Sequence, residues 1–171
     1  MGSGKSTIGP ILANSLGYNY VDVDAYIEQQ EHKKVTDIFA SDGELAFRKL
    51  ERKALEDLAN CQRFVVSLGG GTISTEENFQ LVRHHGILVY LKLSPAEILL
   101  RVQHRHDRPL LKDDMGNLLP LQEMEKRVLD LLAKRELFYL RADVVIPTDR
   151  TRVGVTVDEI MKHIRGRIEK V

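Results

Sequence analysis

Tryptophan is absent, cysteine occurs once, and aromatic residues make up only 6% of the 171 residues. A lone Cys61 excludes an internal disulfide, and neither cysteines nor histidines cluster at metal-ligand spacing, a pattern that fits a reducing compartment. Net charge is missing too, because 25 lysines and arginines balance 25 aspartates and glutamates. No summed field therefore recommends nucleic acid or an anionic membrane as a partner, and any anion site has to be local. Apolar runs such as Gly86 to Leu91 stop far short of bilayer-spanning length, and no charged-then-apolar leader precedes them. The expectation is a cytoplasmic, monomeric protein that acts on small molecules.

What is present is the alternation of short β-rich runs with longer stretches of helical period, the pattern of a parallel sheet with helices on both faces. The length fits one domain over residues 1–171. Strands are predicted at Tyr18 to Val21, Phe64 to Ser67, Ile87 to Leu91 and Val144 to Ile146. Lys5 to Leu16 reads as a helix with Ile8, Ile11, Leu12 and Leu16 on one face, closed by Gly17. Val35 to Ala59 is helical with a break near Ser41-Asp42-Gly43. A helix capped by Ser94, with Pro95 in its first turn, is predicted to run to about Arg105. Residues 107–120 have little clean period and read as a mobile lid. Further helices are predicted over Leu121 to Tyr139 and Val155 to Glu169.

The most specific signal opens the chain. Gly2-Ser3-Gly4-Lys5-Ser6-Thr7 is the second half of a P-loop, G-x-x-x-x-G-K-[ST], and runs directly into a helix. Glycines let backbone N–H groups close around phosphate oxygens, and the helix N-terminus adds favourable dipole potential. These residues are the candidate ATP site, with Lys5 bridging the β- and γ-phosphates and the Ser6 hydroxyl holding Mg²⁺. The same residues fit an N-myristoylation pattern, which lacks the second, polybasic signal of a stable anchor. The first glycine of the P-loop would fall ahead of Met1, and the strand that normally delivers the loop is not in the sequence. A gap in the middle of the sheet, with unpaired ladder groups, is therefore expected.

Val21-Asp22-Val23-Asp24, Gly43-Glu44 with Phe47-Arg48, Gly69-Gly70-Gly71 and Arg108-Pro109-Leu110-Leu111 follow the P-loop in order. Together the series resembles the shikimate kinase family along nearly the whole chain. The resemblance implies a three-layer P-loop kinase fold, α/β with its first central strand missing. The implied reaction moves the γ-phosphate of ATP to the 3-hydroxyl of shikimate in aromatic amino-acid biosynthesis. It also implies a substrate-binding helical segment over residues 24–59. Asp22 would organise Mg²⁺ through water, and Asp24 would meet the hydroxyl to be phosphorylated. Arg48 and Arg135 would clamp the substrate carboxylate, which suits arginine's planar fork. Gly69, Gly70 and Gly71 would approach the substrate closely. Arg108 would reach the phosphates from the lid, and Arg150 and Arg152 would lie at the nucleotide base.

The residues admit plainer roles as well. Asp24 fits the N-cap of a strand-to-helix turn, Arg135 fits a solvated helix charge, the three glycines fit a turn, and Ser67 fits a contact to metal-bound water. A gluconate kinase would share the P-loop without the Asp24, Arg48 and glycine pattern. A truncated, inactive relative that binds a partner is the reading from a different class. A GTPase is disfavoured because no Asn-Lys-x-Asp stretch occurs.

Overall fold

Four short runs become strands: β1 (Asn19–Asp22), β2 (Phe64–Ser67), β3 (Val89–Lys92) and β4 (Val144–Pro147). The computed structural model describes residues 2–103, 109–113 and 115–168. β1 pairs with β2 and β3 pairs with β4, both in parallel, with Tyr20 opposite Val65 and Tyr90 opposite Val145. β2 and β3 do not pair with each other, so the sheet is divided in its middle, where the sequence led us to expect a gap.

The helices are α1 (Lys5–Leu16), α2 (Val23–Glu31), α3 (Val35–Ala59), α4 (Glu76–His85), α5 (Pro95–Val102), α6 (Leu121–Tyr139) and α7 (Val153–Ile168). Strand alternation puts them on two faces. Val65 and Val89 pack with Ile8, Leu12, Ile160 and Ile164 of α1 and α7. Their neighbours in sequence turn the other way: Val66 joins Ile27, Ile38 and Phe47 of α2 and α3, and Leu88 joins Ile73 and Phe79. α1 contacts β1 and β2 and also packs on α7, so it spans the two strand pairs.

Local chemistry sets the ends. Gly17 takes φ 67°, and its N–H reaches the carbonyls of Ala13 and Asn14, which closes α1. α3 is interrupted at Gly43, whose φ of 80° and ψ of 173° only glycine adopts readily. Ser94 caps α5 by accepting from the Glu97 N–H at 3.3 Å.

Several expectations are corrected. α5 ends at Val102 rather than near Arg105. Ile11 is exposed, and Gly9 and Ala13 take the buried places beside Ile8 and Leu12. α2 and α4, which the sequence reading did not separate out, are present. Within residues 107–120 the described part carries local structure. A 3₁₀ turn at Pro109–Leu111 leads into a Lys112 to Leu118 bridge, and Leu111 is wholly buried against Ile98, Met124 and Val128. Asp107, Arg108 and Asp114 lie outside the described residues, as do His104, Arg105 and His106.

Candidate active site

The phosphate cradle is built from backbone. Gly2 and Gly4 both take left-handed conformations, with φ 64° and 86°, and this curls the chain so that successive N–H groups face one concavity. Gly4 is the N-cap of α1 without a side-chain cap, which leaves the helix mouth to amides and to the exposed Ser6 and Thr7. Ser3 is buried, and Arg101 of α5 donates to the Gly2 carbonyl at 3.1 Å while pairing with Glu97. The Ser67 hydroxyl at the end of β2 approaches the Lys5 carbonyl at 3.5 Å, so the cradle and the end of β2 are adjacent.

Asp22, not Asp24, is the N-cap of α2: its Oδ1 accepts from the N–H groups of Asp24 (3.0 Å) and Ala25 (3.3 Å). The N-cap reading of Asp24 is thereby corrected, because β1 stops at Asp22 and Asp24 stands in the first helical turn. Asp22 binds those amides through one oxygen and keeps the other for a further partner. Beside it, the buried Tyr20 hydroxyl makes no hydrogen bond of good geometry among the described residues, and burial, Ser67 and Asp22 act on it in that order. A hydrated Mg²⁺ ion fits the chemistry of the Asp22 carboxylate and the Ser6 hydroxyl at the head of α1, since Mg²⁺ keeps much of its water and needs few protein ligands.

The opposite wall is built from charged side chains. Glu51 on α3 is 1% exposed. One of its carboxylate oxygens accepts from Arg48 Nη1, and the other accepts the Thr72 hydroxyl at 2.5 Å. Thr72 is in turn fixed by Asn78, whose amide donates to the Thr72 carbonyl at 2.7 Å. Arg48 turns its Nη2 to Glu44 at 2.7 Å. Burial opposes its charge, but Glu51, with Glu44 behind it, outweighs that penalty and holds its pKa above the usual value.

The glycine loop fits between these groups. A Cβ at Gly69 would lie 3.0 Å from Asp24 Oδ1 and 2.8 Å from Glu51 Oε1, and one at Gly71 would lie 2.5 Å from Arg48 Nη1. Gly69 and Gly71 are thus required by close approach, and neither takes a positive φ. Tyr139 at the end of α6 donates to the Gly70 carbonyl. Arg135, one turn earlier, is buried rather than solvated, which corrects the surface-charge reading.

Arg150 and Arg152 are exposed in the loop after β4, and Arg150 has φ 54°. Asp149 ties that loop to the head of α5 by accepting from the Ser94 N–H (3.0 Å) and hydroxyl (2.7 Å). Asp24 and Arg48 therefore come together around Gly69 and Gly71, with the buried Arg135 one turn before Tyr139, and Gly2 to Thr7 are the candidate cradle near them. Arg108 lies outside the described residues. Sequence reasoning missed Glu51, Thr72 and Tyr139. The only local signal for Glu51 was a glutamate three residues after Arg48, on the same helix face.

Comparison with known proteins agrees with this geometry. The family model for shikimate kinase matches residues 1–165. A shikimate kinase of Chlorobaculum tepidum is 49% identical over 99% of this chain and 88% of its own length. One from Chlorobaculum parvum is 48% identical over 99% of this chain and 91% of its own length. Among solved structures, shikimate kinase from Acinetobacter baumannii in complex with shikimate superposes with a TM-score of 0.89 at 30% identity, covering 98% of this chain and 89% of that one. The Aquifex aeolicus shikimate kinase gives 0.82 at 32% identity, over 98% and 94%. A P-loop half set beside a carboxylate and arginine wall, and full-length likeness to these enzymes, lead to one assignment: this chain belongs to the shikimate kinase family of ATP-dependent phosphotransferases.

Proposed function

We propose that the chain phosphorylates the 3-hydroxyl of shikimate with Asp24, Arg48, Arg135 and the Gly69–Gly71 loop as the substrate wall and Gly2 to Thr7 as the cradle for ATP. The observation that carries this reading is that Asp24 and Arg48 flank the same loop, each in contact distance of a different glycine. A carboxylated triol needs a cation for its carboxylate and an acceptor for its reacting hydroxyl, and the two sit on either side of one strip of backbone.

In this scheme Arg48 and Arg135 take the carboxylate, and Glu44, half-exposed, gives up its hold on Arg48 as the substrate enters. Asp24 accepts the hydrogen bond of the attacking hydroxyl and orients it toward the γ-phosphate. Lys5 and the amides of the α1 mouth stabilise charge on the phosphates as transfer proceeds. Mg²⁺ would be held by Ser6 and, through water, by Asp22, and would neutralise β- and γ-phosphate charge. Arg108, with residues 107–120 as lid, closes over the nucleotide and excludes water, and Arg150 and Arg152 flank the base. The setting is a monomer in the cytoplasm.

The test is ADP release by the purified protein, supplied in turn with shikimate and gluconate. Turnover dependent on shikimate alone is expected. Arg48→Ala should raise KM for shikimate about thirtyfold, the worth of ~2 kcal/mol for a charge-assisted contact, and leave KM for ATP nearly unchanged. Equal turnover with gluconate would overturn the substrate, and equal effects on both KM values would make Arg48 structural.

A further inference from the structure

Tyr139 is the last residue of α6, and its phenol is placed by three features of the fold. Its ring packs on Tyr90 of β3, with centroids 4.9 Å apart at 41°. Its hydroxyl donates to the carbonyl of Gly70, the middle residue of the loop that separates Asp24 from Arg48. Arg135 precedes it by one helical turn and is buried on the same side. A phenol oxygen has one proton to give and lone pairs to offer. The proton goes to Gly70, and the lone pairs face the guanidinium charge of Arg135, with Arg48 and Glu51 also felt at that oxygen. Burial is the larger influence and lifts the pKa of the phenol above its usual value, so it remains a neutral donor at physiological pH.

We propose that Tyr139 is a positioning residue for the substrate carboxylate. Its hydroxyl anchors the centre of the glycine loop to α6, and the same oxygen orients Arg135. It thereby fixes the distance between the two arginines before substrate arrives. The arrangement is preorganisation: two cations on separate helices, α3 and α6, are tied to one loop, Arg48 by its close approach to Gly71 and Arg135 through Tyr139. This inference rests on the reading that Arg48 and Arg135 meet the carboxylate.

Tyr139→Phe retains the ring and its packing on Tyr90 and removes only the hydroxyl. Calorimetric titration with shikimate is expected to give a Kd about five- to tenfold weaker, the range for one hydrogen bond, with KM for shikimate rising in step. KM for ATP and kcat should stay within about twofold. The same titration with shikimate carboxamide, which has no charge for the arginines, should show the two proteins equal. Tyr90→Leu serves as the packing control, since it loosens the ring without removing the hydroxyl and should affect the thermal midpoint more than the Kd. An unchanged Kd in Tyr139→Phe would overturn the proposal. So would an equal loss with the carboxamide or with ATP, because the hydroxyl would then be only structural. Failure of the unsubstituted protein to bind shikimate at all would overturn the substrate reading instead, and the two failures are distinguishable.

Discussion

The phosphate cradle and the substrate wall meet at the end of β2, yet they are made differently. The proposed cradle is one contiguous stretch, Gly2 to Thr7, and would work through main-chain amides shaped by two left-handed glycines. The proposed wall draws Asp24, Arg48, Glu51, Gly71 and Arg135 from four separate elements, and would work through side chains held by partners, as Arg48 is by Glu51 and Glu44. A backbone site needs only the right φ angles, whereas a side-chain site needs every supporting partner in place. The first tolerates change outside its own few residues, and the second is exposed to change anywhere in its network.

Substitutions can sharpen or break that contrast. Lys5→Ala should have the largest effect, lowering kcat by about a thousandfold, as loss of one preorganised donor to transition-state charge does elsewhere, with the circular dichroism spectrum unchanged. Near-normal turnover would remove the cradle from the mechanism. Next comes a matched pair of glycine replacements. Gly71→Ala pushes a methyl group against the Arg48 guanidinium, so KM for shikimate should rise about tenfold, in keeping with the ~1–3 kcal/mol of a forced side-chain shift. Gly4→Ala instead meets no crowding closer than Ile8 at 3.5 Å but must hold φ 86°. Its penalty of ~1–2 kcal/mol should fall on KM for ATP. If both variants affected the same substrate, the division between cradle and wall would be wrong.

The smallest effect belongs to neither site. The exposed Glu76 is held down to about 2 by its hydrogen bonds to Arg141 and Gln80. Its folded-state value is depressed, so its contribution to stability is present above the ordinary carboxylate range, near 4.5, and is lost as pH falls through about 2. Glu76→Gln should leave activity untouched and flatten the fall of the thermal midpoint between pH 5 and 2 only slightly, because the pair is open to solvent and screened by salt. A large change would mean that the α4 surface is coupled to the wall.

The same contrast explains what could be read from the sequence. Gly2 to Thr7 was legible because a P-loop is local, and its glycines announce the backbone they need. β2 and α6 were legible to the residue, since an apolar run and a long amphipathic period carry their own limits. α4 was not, because its polar stretch buries little beyond Asn78 and Phe79 and is set by packing on α3. Glu51 could not be told from any exposed helix glutamate until the fold brought Thr72 to it from across the chain. Asp22 and Asp24 exchanged the capping role, as strand ends are fixed by pairing with β2 rather than by local preference.

The position of α1 between the two strand pairs ties nucleotide binding to the assembled fold. β1 pairs with β2 within residues 19–67, and β3 pairs with β4 within residues 89–147, so the two pairings close on stretches of chain that do not interleave. α1 touches both strand pairs, β1 and β2 directly and β4 by way of α7. The first turn of that helix is the phosphate cradle. On the proposed reading of the site, a nucleotide held there would be linked to the docked position of α1, so ATP should raise the thermal midpoint of the protein.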